Sequence, residues 1–483
     1  MGIKAILKNV KNVGITGTYE IYKERKEQRQ AEELEEKKRQ QRKATNQKVI
    51  GELKKLLSEL VKIEKDEEKA ALMAKGIEAK DNKEVRNIFR QLDQKADKAY
   101  EEKMQSVYIK TILPMIYNEF CCFPVKKVVL FMQPRRGLNQ SCRYIFRKLK
   151  AEGKYKVVLR ELHRGEAGVS KYYANAEKFV RQMATAKGVF VHESNNLMGY
   201  LDIRKETKVI QLWHGCGVFK KIGLSTSGKE HFKSREKYEE YPEYNNYSIV
   251  TIASPELSWV FEEFMGIDKE EGIIQPIGVS RTDEFFDEEY VKNCYDTLHE
   301  VIPVSKEKKV ILYAPTYRGI DPNRVSPDQL DVKMFAEALG DEYILIFKHH
   351  QTAVQVPEIP EPYRDKFAYD MTRGKGMSIN DLMTVADICI SDYSSLVFEY
   401  ALFERPMLFY VYDLEDYIDE RGLYYDFDEI TPGPLCKTNE EMIDHILHIE
   451  ERFNKQEVTD FKNRFMCCCD GHATERILEF MEK

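Results

Sequence analysis

The residues with the most chemistry to offer stand where apolar runs stop. In "VIQLWHGCGVFKKIG" (residues 209–223), Val209, Ile210 and Leu212 lead into Trp213, His214, Gly215, Cys216, Gly217 and the pair Lys220-Lys221. An imidazole titrates near neutrality, glycines let backbone approach a ligand closely, and lysines neutralise negative charge. The set reads as an imidazole beside an anionic group, or, taken singly, as a hydrogen-bonded core histidine. Three more runs end in the same way. "ILYAPTYR" delivers Pro315, Thr316 and Arg318, "YILIFKHH" delivers His349 and His350, and "ADICISDYSSLVFEYA" delivers Asp392, Ser394 and Ser395. In the last, hydroxyls meet free N–H groups where a helix begins. That is either a phosphate seat or ordinary helix capping.

These positions matter only if the runs are strands whose ends share a site. After Pro124 the sequence alternates continuous β-rich runs with helical stretches: "VKKVVLFM", "YKVVLREL", "KGVFVHE", "TKVIQLWH", "YSIVTIAS" and "GIIQPIG", then "KKVILYAPT", "YILIFKHH", "ADICISDYS" and "RPMLFYVYD". Apolar strands alternating with helices imply α/β parallel sheets covered on both faces. In such sheets ligands bind beyond the carboxyl ends of the strands. The mostly polar "VSKEKK" from Val304 divides the runs into two Rossmann-like domains, 119–303 and 304–455, with 456–483 as a C-terminal helix packing back on the body. Its three cysteines, Cys467 to Cys469, read as small buried hydrophobes.

The amino-terminal quarter has a different texture. Residues 1–20 place Ile3, Ile6, Leu7, Val10 and Val13 at helical spacing among lysines. Such a helix either lies on an anionic membrane surface or packs on its own protein. Residues 21–118 are dense in Glu, Lys, Arg and Gln, and Ile50, Leu53, Leu57, Leu60 and Val61 form one apolar face. A helical hairpin or coiled coil follows, suited to self-association or docking.

Composition removes several classes. A net charge of −6 with 32% charged residues gives no global attraction to nucleic acid. Ten cysteines with no paired C-x-x-C spacing form neither a disulfide framework nor a zinc site, which suits a reducing cytoplasm. No run of about 18 apolar residues marks a spanning helix, and no secretory leader is seen. The acidic pair Asp426 and Asp428 in "YDFDE" imitates a metal motif but reads better as a solvated loop, so neither a metal nor a cofactor is expected.

The ordered series "LWHGCGVFKKIG", "GVSRTDEFF", "ILYAPTYR", "SDYSSLVFEYALFERPMLFYVYDLEDY" and "ERGLYYDFDEITPGPL" resembles the CDP-glycerol:poly(glycerophosphate) glycerophosphotransferases across roughly residues 120–480. The resemblance implies a GT-B fold, with two Rossmann-like lobes facing a cleft, the acceptor on the first and a CDP-linked donor on the second. It implies transfer of an alditol phosphate, glycerol phosphate foremost, to a polymer or lipid-linked acceptor at the cytoplasmic membrane face. His214 takes the role of base. His350, or His349 if the alignment slips by one, contacts the donor phosphates with Arg318, Thr316, Asp392, Ser394 and Ser395. Arg421 and Gly422 fall on the ligand side, while Trp213, Gly215, Lys220 and Lys221 line the cleft or the acceptor side; Arg281 and Asp283 line the cleft, link the two domains or form a structural salt bridge. The chain departs from the family pattern at Cys216, where threonine is frequent, and at the doubled His349-His350. Two alternatives stay open: a nucleotide-sugar glycosyltransferase of the same fold, and a non-catalytic coiled-coil scaffold with a GT-B body.

Overall fold

The structure, a computed structural model, describes residues 101–102, 104–162, 168–229, 232–319, 323–350, 352–372 and 376–483, with isolated positions between 37 and 66. The surface helix expected at 1–20 and most of the helical region expected over 21–118 lie outside the described residues. The chain divides into two compact units. The first comprises residues 1–126, 164–185 and 200–204. In it Pro114 opens helix α1 (Leu113–Phe120), a position where its missing N–H costs nothing. The Tyr108 ring stacks on Tyr173 of a second helix, Gly168–Met183, at 4.2 Å. Arg204 ties down the end of α1 by donating to the carbonyls of Cys121 and Phe123 at 2.8 and 2.6 Å.

The second unit, residues 127–163, 186–199 and 205–483, holds both sheets. Strands β1 (Lys126–Gln133), β2 (Lys156–Glu161), β3 (Ala186–Val191), β4 (Lys208–Gln211), β5 (Ile249–Thr251) and β6 (Ile274–Gln275) form one, in the order β2-β1-β3-β4-β5-β6. The other contains β7 (Lys309–Tyr313), β8 (Tyr343–Phe347), β9 (Ala368–Asp370), β10 (Ile388–Ser391), β11 (Met407–Tyr410) and β12 (Leu435–Cys436), ordered β12-β11-β10-β7-β8-β9. Pairing is parallel in both. Parallel strands need crossover helices on both faces, so every residue of β8, β10 and β11 is buried. Val129, Phe131, Phe190, Ile210 and Ile249 build the first core, and Ile311, Phe335, Leu345, Ile390 and Leu408 build the second. Each such side chain contributes about 1.5–3 kcal/mol on burial. The expected α/β architecture of two Rossmann-like lobes is present.

Each strand order reverses once, between β1 and β3 in the first sheet and between β7 and β10 in the second. A crevice opens at such a switch point, at the carboxyl ends of the strands. Around the first lie helix α2 (Gln140–Glu152) and the ends of β3 and β4. Around the second lie α3 (Ile379–Val385), α4 (Leu396–Tyr400) and α5 (Leu414–Arg421). Residues 456–483 are not one helix. Lys455–Phe465 and α6 (Ala473–Glu482) are separated by a turn in which Gly471 takes a φ of 87°. Cys467 is exposed and Cys468 half-buried, leaving Cys469 as the one buried thiol of the three. Helix α6 returns to the first sheet, inserting Ile477 and Met481 into its core.

Candidate active site

Gln211, the last residue of β4, is fully buried, and its side-chain oxygen accepts from the Trp213 N–H at 2.9 Å. That bond holds Trp213 in the left-handed region, at φ 55°, where a bulky residue stays only if its surroundings compel it. The indole is held by Phe261 and Phe264 and lies 4.5 Å, centroid to centroid, from the His214 ring. The reversal turns His214 out of the core. His214 is exposed, yet protein atoms crowd it on most sides, and this desolvation holds its pKa below the usual imidazole value, with Glu193 opposing. A ring on the floor of a cleft meets both descriptions.

Neighbours fix which nitrogen carries the proton. His214 Nδ1 lies 3.2 Å from the His192 carbonyl oxygen. A carbonyl only accepts, so Nδ1 carries hydrogen and Nε2 keeps a free lone pair. At His350 the arrangement is reversed: the Thr352 backbone N–H points at Nδ1 at 3.3 Å, and the Thr352 hydroxyl is 2.7 Å away. A backbone N–H only donates, so Nδ1 is the acceptor and Nε2–H the donor. His350 is also exposed. Burial, then Lys220, Arg324, Arg135 and His214, push its pKa down to about 4. The two imidazoles therefore feel one another across the lobes, one able to take a proton and the other to donate a hydrogen bond.

His349 faces elsewhere. It is 4% exposed, its Nδ1 is 2.5 Å from Ser326 Oγ, and its N–H donates to Thr372. Ser326 and Thr372 line a separate polar cavity of about 750 Å³ with Asp328, Gln355 and Asp370. Of the paired histidines, His350 is the exposed one and the one that interacts electrostatically with His214.

The turn after His214 lies directly on the second lobe. A Cβ added at Gly215 would sit 3.1 Å from Ser395 Oγ, and one at Gly217 only 2.3 Å from the Phe398 ring. The glycines therefore make room for α4, not for a ligand as the sequence pattern suggests, and they bring His214 beside Ser394-Ser395. The Ser394 hydroxyl sits at 3.4 Å from the Leu396 N–H, while Ser395 makes no side-chain cap.

A model of the CDP-Glycerol:Poly(glycerophosphate) glycerophosphotransferase family matches residues 115–483. The chain belongs to this family. It is 35% identical over 370 residues to the teichoic acid poly(ribitol-phosphate) polymerase of Bacillus spizizenii, covering 75% of this chain and 57% of that protein. It thus spans little more than half of that relative's length. The teichoic acid ribitol-phosphate primase of the same organism is 31% identical over 358 residues, covering 74% of this chain and 90% of the primase. Among solved structures, a variant of the wall teichoic acid polymerase TagF superposes with a TM-score of 0.63 at 21% identity, covering 81% of this chain and 97% of that one. That likeness identifies the shared fold.

In this glycerophosphotransferase-family chain several expected site residues hold the site together without facing it. Arg318 is engaged on three sides: Nε and Nη2 grip Asp413 at 2.6 and 3.0 Å, and Nη1 reaches Asp392 at 3.0 Å and the Thr316 carbonyl at 2.9 Å. The rings of Tyr393, Tyr412 and Tyr417 surround it within 6 Å. Asp392 also accepts from the Thr316 N–H and hydroxyl. Thr316, Arg318 and Asp392 thus lock the ends of β7 and β10 together at the switch point, leaving little of the guanidinium for phosphate. Asp283 is a correction to the cleft set. It is 1% exposed and accepts from the Ala473 and Thr474 N–H groups at 3.2 and 2.7 Å, capping α6.

The remaining candidates stay near the cleft. Lys220 bridges to Leu423, its ammonium 6.0 Å from the Tyr317 ring, which in turn meets the His350 ring edge-on at 5.0 Å. The Lys221 N–H donates to the Gly422 carbonyl at 2.9 Å, so Gly422, with φ 77°, joins the lobes. Arg421 ends α5. Asp426 caps the short helix Phe427–Ile430, and among the described residues no acidic, His or Cys group has the geometry of a metal site. Sequence reasoning missed His192 and Arg135. They follow β3 and β1 at the first switch point, and the strand-end rule would have found both. His192 is 2% exposed, and burial pushes its pKa down to about 3.

Proposed function

We propose that the chain transfers an alditol phosphate from a CDP-linked donor to a hydroxyl of a teichoic-acid-like, capsular or lipid-linked acceptor, releasing CMP. The observation that carries this reading is the pair of exposed imidazoles in opposite tautomers, one from each lobe and close enough for their charges to interact, with the His214 turn set against the start of α4. His214 Nε2 takes the proton as the acceptor hydroxyl attacks the alditol phosphorus. The bond from that phosphorus to the CMP oxygen breaks. His350 Nε2–H, Lys220 and the Ser394 and Ser395 hydroxyls hold the charge that gathers on the departing phosphate. The first lobe, 119–303, serves the acceptor and the second, 304–455, the donor. A nucleotide-sugar glycosyltransferase would be expected to place a carboxylate where His214 stands.

The family name specifies glycerol phosphate and the two relatives ribitol phosphate, so the donor test begins with both. Purified full-length protein is incubated with CDP-glycerol or CDP-ribitol and acceptor, and CMP is followed. The reading expects CMP release that His214→Ala abolishes without unfolding the protein; near-normal turnover by that variant removes the base assignment. Among the described residues no helix is long and apolar enough to cross a membrane. Peripheral contact with an anionic membrane surface through residues 1–20, and self-association through 21–118, rest on sequence pattern. Vesicle sedimentation of the chain lacking residues 1–20 tests the first.

A further inference from the structure

Arg281 leaves the first lobe after β6 and is 7% exposed. Its Nη1 donates to the His214 carbonyl oxygen at 2.8 Å, and its Nη2 donates to Asn380 Oδ1 on α3 at 2.6 Å. Nη1 also lies 3.6 Å from Glu399 Oε1 on α4. Glu399 is 2% exposed and Asn380 fully buried. The Glu399 carboxylate also acts electrostatically on Cys216, in the turn that follows His214. One guanidinium thus joins the peptide of His214 to two helices of the other lobe.

Stability alone does not account for this group. Arg281 Nε, Glu399 Oε2 and Asn380 Nδ2 are buried without a protein partner, and each such atom costs about 1–3 kcal/mol. Well-packed apolar residues of similar volume are often as stable as a buried ion pair or more so. What an apolar trio cannot do is set the direction of a carbonyl, and through it the peptide that carries His214. We propose that Arg281, Asn380 and Glu399 are positioning residues that fix His214 against the start of α4, so that the spacing between the base and the donor phosphate is set by one buried interlobe network. This rests on the function proposed above.

The test uses full-length Arg281→Gln, Glu399→Gln and Asn380→Ala, the last leaving the ion pair in place should the others fold poorly. The charged or titratable groups facing His214 are Arg281, Arg135, Glu193 and His192, with His350 from the second lobe. Removing the Arg281 cation, which depresses the His214 pKa, should raise the His214 titration midpoint in histidine NMR and shift the acid limb of the kcat/KM profile to higher pH. In each variant kcat should fall about 10- to 100-fold, the scale of a misplaced catalytic group, with KM for the CDP-alditol within about twofold. An unmoved His214 titration in Arg281→Gln, or a kcat loss that only follows the folded fraction, overturns the network. If the wild-type protein releases no CMP from either donor, the proposed reaction fails, while the NMR titration still decides whether Arg281 governs His214.

Discussion

The contact most exposed to a single substitution is the one between Gly217 and Phe398. A Cβ at position 217 would stand 2.3 Å from two atoms of the Phe398 ring and 2.5 Å from a third. Carbon atoms in contact prefer about 3.5–4.0 Å, so Gly217→Ala must open this seam by about 1 Å. The ring has nowhere to retreat, because Phe398 is fully buried against Phe219, Phe461 and Phe465, with centroids 4.7, 5.1 and 5.4 Å away. Backbone strain plays no part, since Gly217 is not among the positive-φ residues. Overpacking of this kind costs about 1–3 kcal/mol.

The larger effect falls on activity. Gly217 is three residues from His214, and Phe398 is three residues from Ser395, so the seam that opens is the one that sets the base against the donor side. A displacement of about 1 Å is enough to lower kcat about 100-fold. CMP release gives the rate, and thermal unfolding gives the stability cost. Phe398→Leu added to Gly217→Ala should recover part of the lost rate, because the smaller side chain relieves the clash. A Gly217→Ala protein with kcat within about twofold of wild type and an unshifted Tm would refute the steric reasoning.

Acid should destabilise the second unit through its buried histidines. His192 and His349, held mainly by burial down to about 3 and about 4, titrate near 6.5 when unfolded, so the unfolded chain takes up their protons first. Stability present above about pH 6.5 then falls by about 2 kcal/mol per histidine between pH 7 and 5; urea midpoints at the two pH values measure it, and His192→Asn should remove that residue's share. Arg318→Lys keeps the charge but loses the two-pronged grip on Asp413, so Tm should fall, and donor affinity by calorimetry should change less than stability; an unshifted Tm with lost CDP binding would return Arg318 to the phosphate-binding set. Asp283→Ala uncaps α6 at a cost of about 1–2 kcal/mol and should leave kcat within about twofold of wild type; a collapse of kcat at full folding would place Asp283 in the site after all.

Ten of the twelve strands are readable as apolar runs because parallel strands bury both faces. The two that escape, β9 and β12, have three and two residues and sit at sheet edges; the equally short β5 and β6 lie within the longer apolar runs "YSIVTIAS" and "GIIQPIG", whereas β9 and β12 have no such run around them. The strand-end rule locates His214, His350 and Ser394-Ser395 for the same topological reason. It says nothing of what else each side chain touches. Arg318 reads as a phosphate ligand until Asp413, 95 residues along the chain, is seen to hold it. Asp283 reads as a cleft residue until α6, nearly two hundred residues on, supplies the N–H groups it accepts. A lone charge has no visible partner in sequence when the partner comes from another element.

The histidines show the same limit from the chemical side. His214 and His350 are the same residue type at equivalent strand ends, and the flanking sequence does not show which Nδ1 meets a donor and which meets an acceptor. The assignment comes from what each Nδ1 meets: the His192 carbonyl in one lobe, the Thr352 N–H in the other. Exchange those neighbours and the roles exchange with them. The carbonyl meeting His214 belongs to the buried His192, at the switch point of the first sheet, so the end of β3 sets the tautomer of His214. In the proposed reaction the pair divides the proton transfer only while β3 and β4 keep their register, Val191 opposite Gln211, which places His192 and His214 side by side.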